Sequence, residues 1–352
     1  MSFDAVVMVG FGGPESVDEV VPFLERVTAG RGIPPERLLE VGRHYLTLGG
    51  VSPINAQNRA LLAALTERLR GLGWELPIVL ANRNSAPFVT DVLAGLAESG
   101  HRRVLAFATS AYSSYSGCRQ YREDLGLAVA ALGAGAPAVL KLSPLGDVPG
   151  FLQALTELTR ATLAAATGRT RLLFTTHSIP LGMAERSGPE AGWGKPGAYV
   201  EQHLAVARAI VAALDEPPAW ELVYQSRSGP PHVPWLEPDI NDVIAGLAGE
   251  VDTVVVVPIG FLTDHVEVIW DLDTQARQTA DEHGLALLRV PTPGSHPAFL
   301  DGLAAHLDRA LRGAGREASA GDLCQGVCCP GREPRPVVPG LSPADPLTRS
   351  DR

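Results

Sequence analysis

The sequence of 352 residues predicts an α/β protein with two halves, each built on a parallel sheet that helices cover on both faces. Two observations predict this fold class. Apolar runs of strand length alternate with longer segments in which apolar residues recur at helical spacing. The short runs are apolar almost throughout, as strands are when both faces of their sheet are buried. The length of the chain also suits two domains of ordinary size.

The first half, residues 1–146, contains four of these apolar runs, and the helical segments between them end near glycine. The predicted strands are 4–10, 77–82, 103–109 and 138–143, and the clearest helices are 56–71 and 89–99. A stretch with proline and glycine, 145–151, marks the join to the second half.

The second half, residues 147–296, repeats the alternation. Its predicted strands are 171–177, 221–225, 253–261 and 286–290, and a helix is predicted at 199–214. Residues 297–330 are expected to form a C-terminal helix and a cysteine cluster that pack on the first lobe. Residues 331–352 are rich in proline and charge, which predicts a disordered tail.

The composition excludes several classes of protein. The chain has 29 Lys and Arg against 39 Asp and Glu, and no basic stripe, so nucleic acid is not an expected partner. No run reaches the roughly 18 apolar residues of a transmembrane segment, and the apolar N-terminus lacks the features of a signal peptide. Four cysteines in so long a chain do not form a disulfide framework. We therefore expect a cytoplasmic protein.

His177 is the first candidate for chemistry, because it ends a predicted strand and opens the segment His-Ser-Ile-Pro, 177–180. Ligands of open α/β sheets bind at the carboxyl ends of the strands. A neutral imidazole accepts protons near neutral pH and also binds metal ions. The alternative interpretation is a histidine that only satisfies a strand-to-loop turn.

Glu267 and Asp271 are the second candidates, in the segment 260–273 that follows another predicted strand. If this segment is an α-helix, the two carboxylates lie four residues apart on one face, and Gln275 extends the row. Carboxylates in line could hold or pass a metal ion or protons. The alternative is a helix N-terminus whose acidic residues suit the helix dipole.

Two glycine-rich segments, 10–14 and 49–55, do not carry a nucleotide-binding fingerprint. GxGxxG and GKS/T are both absent, and Pro14 interrupts the helix that should follow the first segment. A dinucleotide-dependent enzyme is therefore a weak alternative.

These segments, in this order, resemble the ferrochelatase family over residues 5 to about 310. The matching pieces are 11–14, 49–55, 176–180, 224–226, 234–236 with Pro238, and 260–273. The resemblance implies two Rossmann-like lobes with a cleft between them, in which a lyase inserts Fe²⁺ into a porphyrin for haem biosynthesis. It implies that His177 and Glu267 are the catalytic pair, that both with Asp271 bind or guide the metal, and that His265 supports the turn.

The resemblance is greatest to the actinobacterial branch of the family, which implies coproporphyrin III rather than protoporphyrin IX as substrate and a downstream haem-acceptor enzyme as partner. Arg31, Ser52 and Asn55 are the polar candidates for porphyrin binding, with Tyr45 and Trp235 as apolar walls. Two positions depart from the family pattern. Glu15 stands where some members have a metal-contacting tyrosine, and Gln275 interrupts the acidic row.

The resemblance also implies a [2Fe–2S] cluster held by one internal cysteine and three near the C-terminus. These four are the only cysteines of the chain: Cys118, Cys324, Cys328 and Cys329. Four thiolates suit such a cluster. Adjacent residues of an extended chain point to opposite sides, so Cys328 and Cys329 can both be ligands only if the backbone turns sharply. Free thiols and a structural zinc site are the alternatives.

The chemistry explains these residue types. Two pyrrole protons must leave before iron can bind the ring nitrogens, so the site needs a proton acceptor and a path for the metal. A pocket that fits a bent ring better than a flat one lowers the barrier further. Two rival functions are a cobalt or nickel chelatase for another tetrapyrrole and a haem carrier without catalysis. A carrier needs an axial ligand but no opposing carboxylate.

Overall fold

A computed structural model describes residues 2–30, 35–188, 195–229, 232–313, 323–324, 328–331 and 333–341. Two sheets organise this part of the chain. We call the region around the first sheet the first lobe and the region around the second sheet the second lobe. None of the described helices combines the length and the apolarity that a membrane span needs.

The first sheet has four parallel strands in the order β2-β1-β3-β4. They are β1 (Ala5–Gly10), β2 (Ile78–Asn82), β3 (Arg103–Ala108) and β4 (Ala138–Leu142). The helices of this lobe are α1 (Val20–Thr28), α2 (Pro35–Thr47), α3 (Ile54–Gly71), α4 (Val89–Glu98) and α5 (Gln120–Leu132), the last preceded by a π-helical turn, Tyr115–Arg119. All six residues of β1 are buried, as expected for a strand covered on both faces.

The second sheet repeats this order, with four parallel strands arranged β6-β5-β7-β8. They are β5 (Thr170–His177), β6 (Ala219–Gln225), β7 (Thr253–Val257) and β8 (Ala286–Arg289). The helices are α6 (Pro149–Leu163), α7 (Leu181–Glu185), α8 (Ala198–Ala212), α9 (Ile240–Gly246), α10 (Val266–Val268) and α11 (Arg277–Glu282). The predicted strand 253–261 stops at Val257, because Pro258 cannot donate to the ladder.

One further helix, α12 (Pro297–Gly313), packs against both α3 and α6. Gly150 allows the close approach of α6, since a Cβ at this position would lie 1.7 Å from the carbonyl oxygen of Ala298. Phe107 of the first sheet, Phe174 of the second and Phe299 of α12 belong to the same apolar core. The lobe boundaries at 146 and 296 stay predictions.

The tail is more ordered than the sequence predicted. Two short strands, β9 (Leu323–Cys324) and β10 (Gly340–Leu341), extend the first sheet, β10 parallel to β4 and β9 antiparallel to β10. Val338 is buried, and its carbonyl accepts a hydrogen bond of 2.9 Å from Nε of Arg122. The prediction of a disordered tail from residue 331 is therefore wrong for 333–341, where the open edge of β4 binds the chain. Residues 342–352 lie outside the described residues.

Candidate active site

His177 is the last residue of β5, next to Gln225 at the end of β6. Its Nδ1 lies 2.5 Å from the carbonyl oxygen of Ser178. Because a carbonyl oxygen only accepts, Nδ1 carries the proton of the neutral ring and Nε2 keeps its lone pair. Nε2 faces Oε2 of Glu267 at 3.9 Å. The structure thus brings together the two residues that the sequence singled out.

Tyr199 fixes the backbone of His177 through a hydrogen bond. The phenol of Tyr199 donates to the carbonyl oxygen of His177 at 2.8 Å and lies 2.8 Å from Oγ1 of Thr176. Burial raises the pKa of Tyr199, so the phenol stays protonated and remains a donor. Gly260 also packs on this strand end, where a Cβ would lie 2.1 Å from Oγ1 of Thr176. The position of His177 is therefore fixed before a ligand arrives.

Glu267 lies in the first turn of α10, and its side chain is 46% exposed. His265 precedes the helix and packs against the ring of Phe261, with ring centroids 5.3 Å apart. Burial lowers the pKa of His265, and the neighbouring His177 lowers it further, while Glu267 opposes this shift. A neutral His265 beside His177 and Glu267 suits the supporting role predicted for it, which stays a prediction.

Arg289, at the end of β8, fixes the segment that carries Glu267. Its guanidinium bonds both oxygens of Asp264, at 3.0 and 3.3 Å, and Oδ1 of Asp273 at 2.7 Å. The backbone N–H of Asp264 donates to Oε1 of Gln57 in α3, at 2.8 Å. A bidentate pair adds directional strength as well as charge. Sequence reasoning missed this arginine, because its partners lie 16 and 25 residues away along the chain.

Asp271 lies in a π-helical stretch, Ile269–Ala276, that joins α10 to α11. The prediction of an α-helical row through Glu267, Asp271 and Gln275 is therefore wrong, since a π-helix has a wider turn. Gln275 is exposed, whereas the carboxylate of Asp271 turns inward and accepts hydrogen bonds from Oγ of Ser226 and from Nε2 of Gln225. Ser226 has a φ of 61°, a conformation that non-glycine residues adopt mostly at constrained sites.

Asp271 has a strongly altered acidity. Burial is the main cause that raises its pKa to about 7, and the charge of Glu267 raises it too, while the hydrogen bonds from Ser226 and Gln225 lower it. The carboxyl group of Asp271 therefore gains and loses a proton near neutral pH. A group with this property, close to Glu267, can receive and release protons during turnover.

The first lobe closes one side of the site. Tyr45 of α2 is buried with Phe23 of α1 and Val266 of α10. Burial raises the pKa of Tyr45, and the negative charge of Glu267 adds to the shift. The indole of Trp270 stacks on the ring of His44, with centroids 4.1 Å apart. The sequence did not single out Trp270, since nothing local signals its partner in α2.

Trp235 lies beside the His177 segment, because it forms an isolated antiparallel bridge with Pro180. Its indole packs against Gly229, where a Cβ would lie 2.3 Å from Nε1. The predicted wall residue is thus next to the segment that follows β5, and its contact with a porphyrin stays a prediction.

Ser52 and Asn55 are buried beneath the glycine segment 10–14. Nδ2 of Asn55 donates to the carbonyl oxygen of Gly13 at 2.9 Å, and a Cβ at Gly13 would lie 2.5 Å from Cβ of Ser52. Both side chains therefore shape the loop, and their predicted role in porphyrin binding would act through it. Glu15 is exposed and paired with Arg59 at 2.6 Å. Arg31 lies outside the described residues.

The cysteines of the described chain lie apart from this site. Cys118, Cys328 and Cys329 are buried, and the backbone of Cys324 is in β9, although its side chain is not among the described ones. Across the described parts of the chain, no group of three or more His, Cys, Asp or Glu side chains is arranged to hold a metal ion. The metal-ligand role of Asp271 and the iron–sulfur cluster therefore both stay predictions.

Replacing Asp271 with Asn should stabilise the protein at alkaline pH. The pKa of Asp271 is about 7 in the folded state against 3.8 for the free group. Between these values the folded state binds a proton that the unfolded state has lost, so the free energy of unfolding falls as the pH rises and stays lower above pH 7. Asp271→Asn should therefore exceed the parent by on the order of 2 kcal/mol at pH 8, and by less at pH 5.

Urea unfolding at the two pH values measures this difference. Asp281→Asn in α11 is the matched control, since it removes one carboxylate from an exposed position of the same helical segment. An equal effect of both substitutions at both pH values would contradict a protonated Asp271.

Comparison with known proteins agrees with the geometry. Iron-bound SirB from Bacillus subtilis has a TM-score of 0.53 at 12% identity, over 89% of this chain and 97% of its own. A multi-domain protein of Deinococcus radiodurans with structural similarity to chelatases has a TM-score of 0.50 at 17% identity, over 90% of this chain and 56% of its own. These neighbours confirm the predicted two-lobed α/β fold.

The sequence comparison is more specific. The family model described as Ferrochelatase matches residues 3–311. A coproporphyrin III ferrochelatase of Propionibacterium freudenreichii is 51% identical over 97% of this chain and 98% of its own length. A protein of the same name from Streptomyces griseus is 49% identical over 96% of each chain. The chain belongs to the ferrochelatase family, which confirms the resemblance and makes it an iron-inserting lyase rather than a haem carrier or a chelatase for cobalt or nickel.

Proposed function

We propose that this chain inserts Fe²⁺ into coproporphyrin III in haem biosynthesis, with His177 and Glu267 as the catalytic pair. The observation that carries the proposal is the approach of Nε2 of His177 to Oε2 of Glu267 at 3.9 Å, at the carboxyl end of β5. The relatives from Propionibacterium and Streptomyces carry the name of this activity. Fe²⁺ is a substrate here and not a resident cofactor.

In the proposed mechanism, His177 accepts the pyrrole protons. Its Nδ1–H donates to the carbonyl oxygen of Ser178. Nε2, which keeps its lone pair, is therefore the basic atom that faces the reaction space. Glu267 lies opposite and passes protons outward to Asp271, whose pKa of about 7 suits a carrier that loads and unloads at neutral pH. Glu267 also attracts the incoming cation, since a carboxylate is a hard ligand.

The proposed walls of the porphyrin site come from both lobes. Trp235 stands beside the His177 segment, and the loop 10–14 is shaped by Ser52 and Asn55. Tyr45 is buried against α10, so it would fix the position of Glu267 rather than face the ring directly. Arg31 remains a proposed partner for a propionate. The cytoplasmic location and the downstream haem-acceptor enzyme also remain predictions.

The substrate preference follows from the proposal. Coproporphyrin III has four propionates and dissolves in water, whereas protoporphyrin IX has two and is far less soluble. The protein should metallate coproporphyrin III in preference to protoporphyrin IX in detergent-free buffer. Initial rates with Fe²⁺ and each porphyrin, read from the visible spectrum, measure the preference.

Two additions make this assay discriminating. Repeating it in detergent shows whether solubility alone sets the ratio, and repeating it with Co²⁺ tests the choice of metal. A higher kcat/KM for protoporphyrin IX under both solvent conditions would overturn the proposed substrate but not the family assignment.

We also propose that Cys118, Cys324, Cys328 and Cys329 hold a [2Fe–2S] cluster. Sγ of Cys328 lies 3.7 Å from Sγ of Cys329, close to the separation of about 3.8 Å for two thiolates on one tetrahedral ion. The sharp turn that adjacent ligands need is present, since Cys329 has a φ of 51°. The backbone N–H of Gly188 donates to Sγ of Cys329 at 3.1 Å, as sulfur ligands of clusters commonly accept.

The placement of the chain supports the fourth ligand. Cys324 lies in β9, which pairs with β10 beside β4, so the register brings this backbone to the first lobe, where Cys118 lies. When bound, such a cluster supplies a one-electron redox couple and a covalent link between the tail and the first lobe.

Protein prepared without oxygen should contain iron and acid-labile sulfide in equal amounts and should be brown. Cys118→Ser should lose both, because it removes a ligand, and should melt at a lower temperature. Ser116→Ala, two residues away, is the matched control and should keep both. Zinc in place of iron, or colourless wild-type protein, would overturn the cluster and leave the chelatase function intact.

A further inference from the structure

Glu267 lies in the first turn of a helical stretch, and the incoming segment 258–265 sets where that turn begins. The first turn of a helix is its least constrained part, because its N–H groups have no partner within the helix. His265, the N-cap residue, adds no capping hydrogen bond from its side chain within the described structure. The position of Glu267 therefore depends on contacts that the incoming segment makes with other elements.

Two of these contacts come from the N-terminal part of α3, in the first lobe. Oε1 of Gln57 accepts a hydrogen bond of 2.8 Å from the backbone N–H of Asp264. Oδ1 of the next residue, Asn58, accepts one of 3.4 Å from Oγ1 of Thr263. The bond to Asp264 constrains the path of the main chain itself, only three residues before Glu267.

The contact between Asn58 and Thr263 is costly for the fold. Asn58 is 0% exposed, and its Nδ2 has no hydrogen-bond partner among the described residues. This atom packs against Gly10, where a Cβ would lie 2.7 Å from it. A leucine at 58 and a valine at 263 would have similar shapes and would leave no polar atom unpaired between them. The stability of the fold alone therefore gives no reason for this polar pair.

The same part of α3 also holds the opposite side of the site. Asn55 donates from Nδ2 to the carbonyl oxygen of Gly13 at 2.9 Å, within the loop 10–14. Neighbouring residues of one helix thus contact both this loop and the segment that carries Glu267. A helix is a rigid support, so these contacts keep the two parts of the site at a fixed separation.

We propose that Gln57 and Asn58 are positioning residues for iron insertion, which hold Glu267 at its place opposite His177. The inference rests on the proposed function, because both residues act only through Glu267 and touch no substrate. Without their hydrogen bonds, the carboxylate leaves its place 3.9 Å from Nε2 of His177. A displacement of about 1 Å lowers a rate by up to about 100-fold. The loss should therefore fall on the chemical step, while porphyrin affinity and stability change little.

The first test compares two substitutions of Gln57. Gln57→Met keeps the length of the side chain but removes the acceptor, and it should lower the single-turnover rate of iron insertion about tenfold. Gln57→Glu keeps an acceptor for the N–H of Asp264 and should retain most of the wild-type rate. Porphyrin affinity, read from fluorescence quenching, and the melting temperature should be close to wild type in both. A wild-type rate in Gln57→Met, or equal losses in both variants, overturns the inference.

Gln153→Met is the matched control for the first test. Gln153 is exposed on α6, and its amide bonds Glu157 of the same helix at 2.9 Å. The substitution therefore removes the same group from a helix surface without touching the site, and the rate of iron insertion should equal that of wild type.

The second test asks whether Gln57 acts through Glu267. In a Glu267→Gln background the carboxylate to be positioned is gone, so adding Gln57→Met should lower the remaining rate less than twofold. A further tenfold loss in the double variant would show that the two residues act independently and would overturn the inference.

The third test separates positioning from stability. Asn58→Leu with Thr263→Val should keep or raise the melting temperature, because the unpaired amide is gone, yet it should lower the rate of iron insertion several-fold. A lower melting temperature with an unchanged rate would mean that the pair is only structural, which overturns the role of Asn58. Thr263→Val alone replaces the pair if the double variant does not fold. A Glu267→Gln protein with the wild-type rate would overturn the proposed function as well, whereas the outcomes above leave it intact.

Discussion

His177→Ala should lower kcat/KM for iron insertion by about 1000-fold, because it removes the proposed acceptor of the pyrrole protons. Nε2 is the basic atom of the pair, and its lone pair is aimed at the reaction space by the hydrogen bond between Nδ1 and Ser178. Nε2 of His177 lies 3.9 Å from Oε2 of Glu267. Stopped-flow or steady-state assays with Fe²⁺ and coproporphyrin III give the rate constants.

The fold should survive this substitution. The imidazole is 32% exposed and lies at the strand end, and the backbone contact with Tyr199 does not involve the side chain of residue 177. The melting temperature should therefore change by only a few degrees. His283→Ala, an exposed histidine after α11, is the control and should keep the wild-type rate. A His177→Ala protein with more than a tenth of the parental kcat/KM would refute the proposed mechanism.

Glu267→Gln should lower kcat by about 100-fold while the affinity for the porphyrin changes little. The amide keeps the size and most contacts of the side chain but cannot pass a proton outward or attract Fe²⁺ as a carboxylate does. A second consequence follows, since the charge of Glu267 helps to raise the pKa of Asp271. In Glu267→Gln that pKa should fall, which the infrared band of the protonated Asp271 carboxyl group reports as a function of pH.

Glu282→Gln, at the end of the same helical segment, serves as the control for charge and should leave kcat unchanged. An unaltered kcat in Glu267→Gln would show that proton transfer and metal entry avoid this carboxylate. An unaltered Asp271 titration together with a lost kcat would refute only the coupling between the two acids.

The parallel sheets and the strand-end position of His177 were predictable from the sequence, because each depends on a short run of neighbouring residues. The continuous apolar runs identified the strands, and the motif after β5 identified His177. Glu267 was found in the same way, after β7. The spacing of the residues did not predict the position of the Asp271 side chain. Asp271 accepts hydrogen bonds from Ser226 and Gln225, which lie more than 40 residues away along the chain.

Long-range partners explain the other differences from the sequence prediction. The stacking of Trp270 on His44 and the ion pairs of Arg289 with Asp264 and Asp273 join segments whose local sequence carries no signal of the contact. The tail was predicted to be disordered from its composition, but the open edge of β4 offers it backbone hydrogen bonds. Composition describes the tail by itself and cannot report a neighbour that binds it.

The position of α12 between α3 and α6 has a mechanical consequence for the reaction. Because α12 contacts helices of both lobes, it opposes a hinge-like opening of the cleft. The hydrogen bond between Gln57 and the backbone of Asp264 joins the two lobes near Glu267. A flat macrocycle resists bending. If the two lobes could move apart easily, they would separate before the ring bent. In the proposed function, lobes held at a fixed distance would transmit the binding energy of the propionates to the ring as strain. The proposed function therefore depends on the stiffness of the joined lobes and not on their motion.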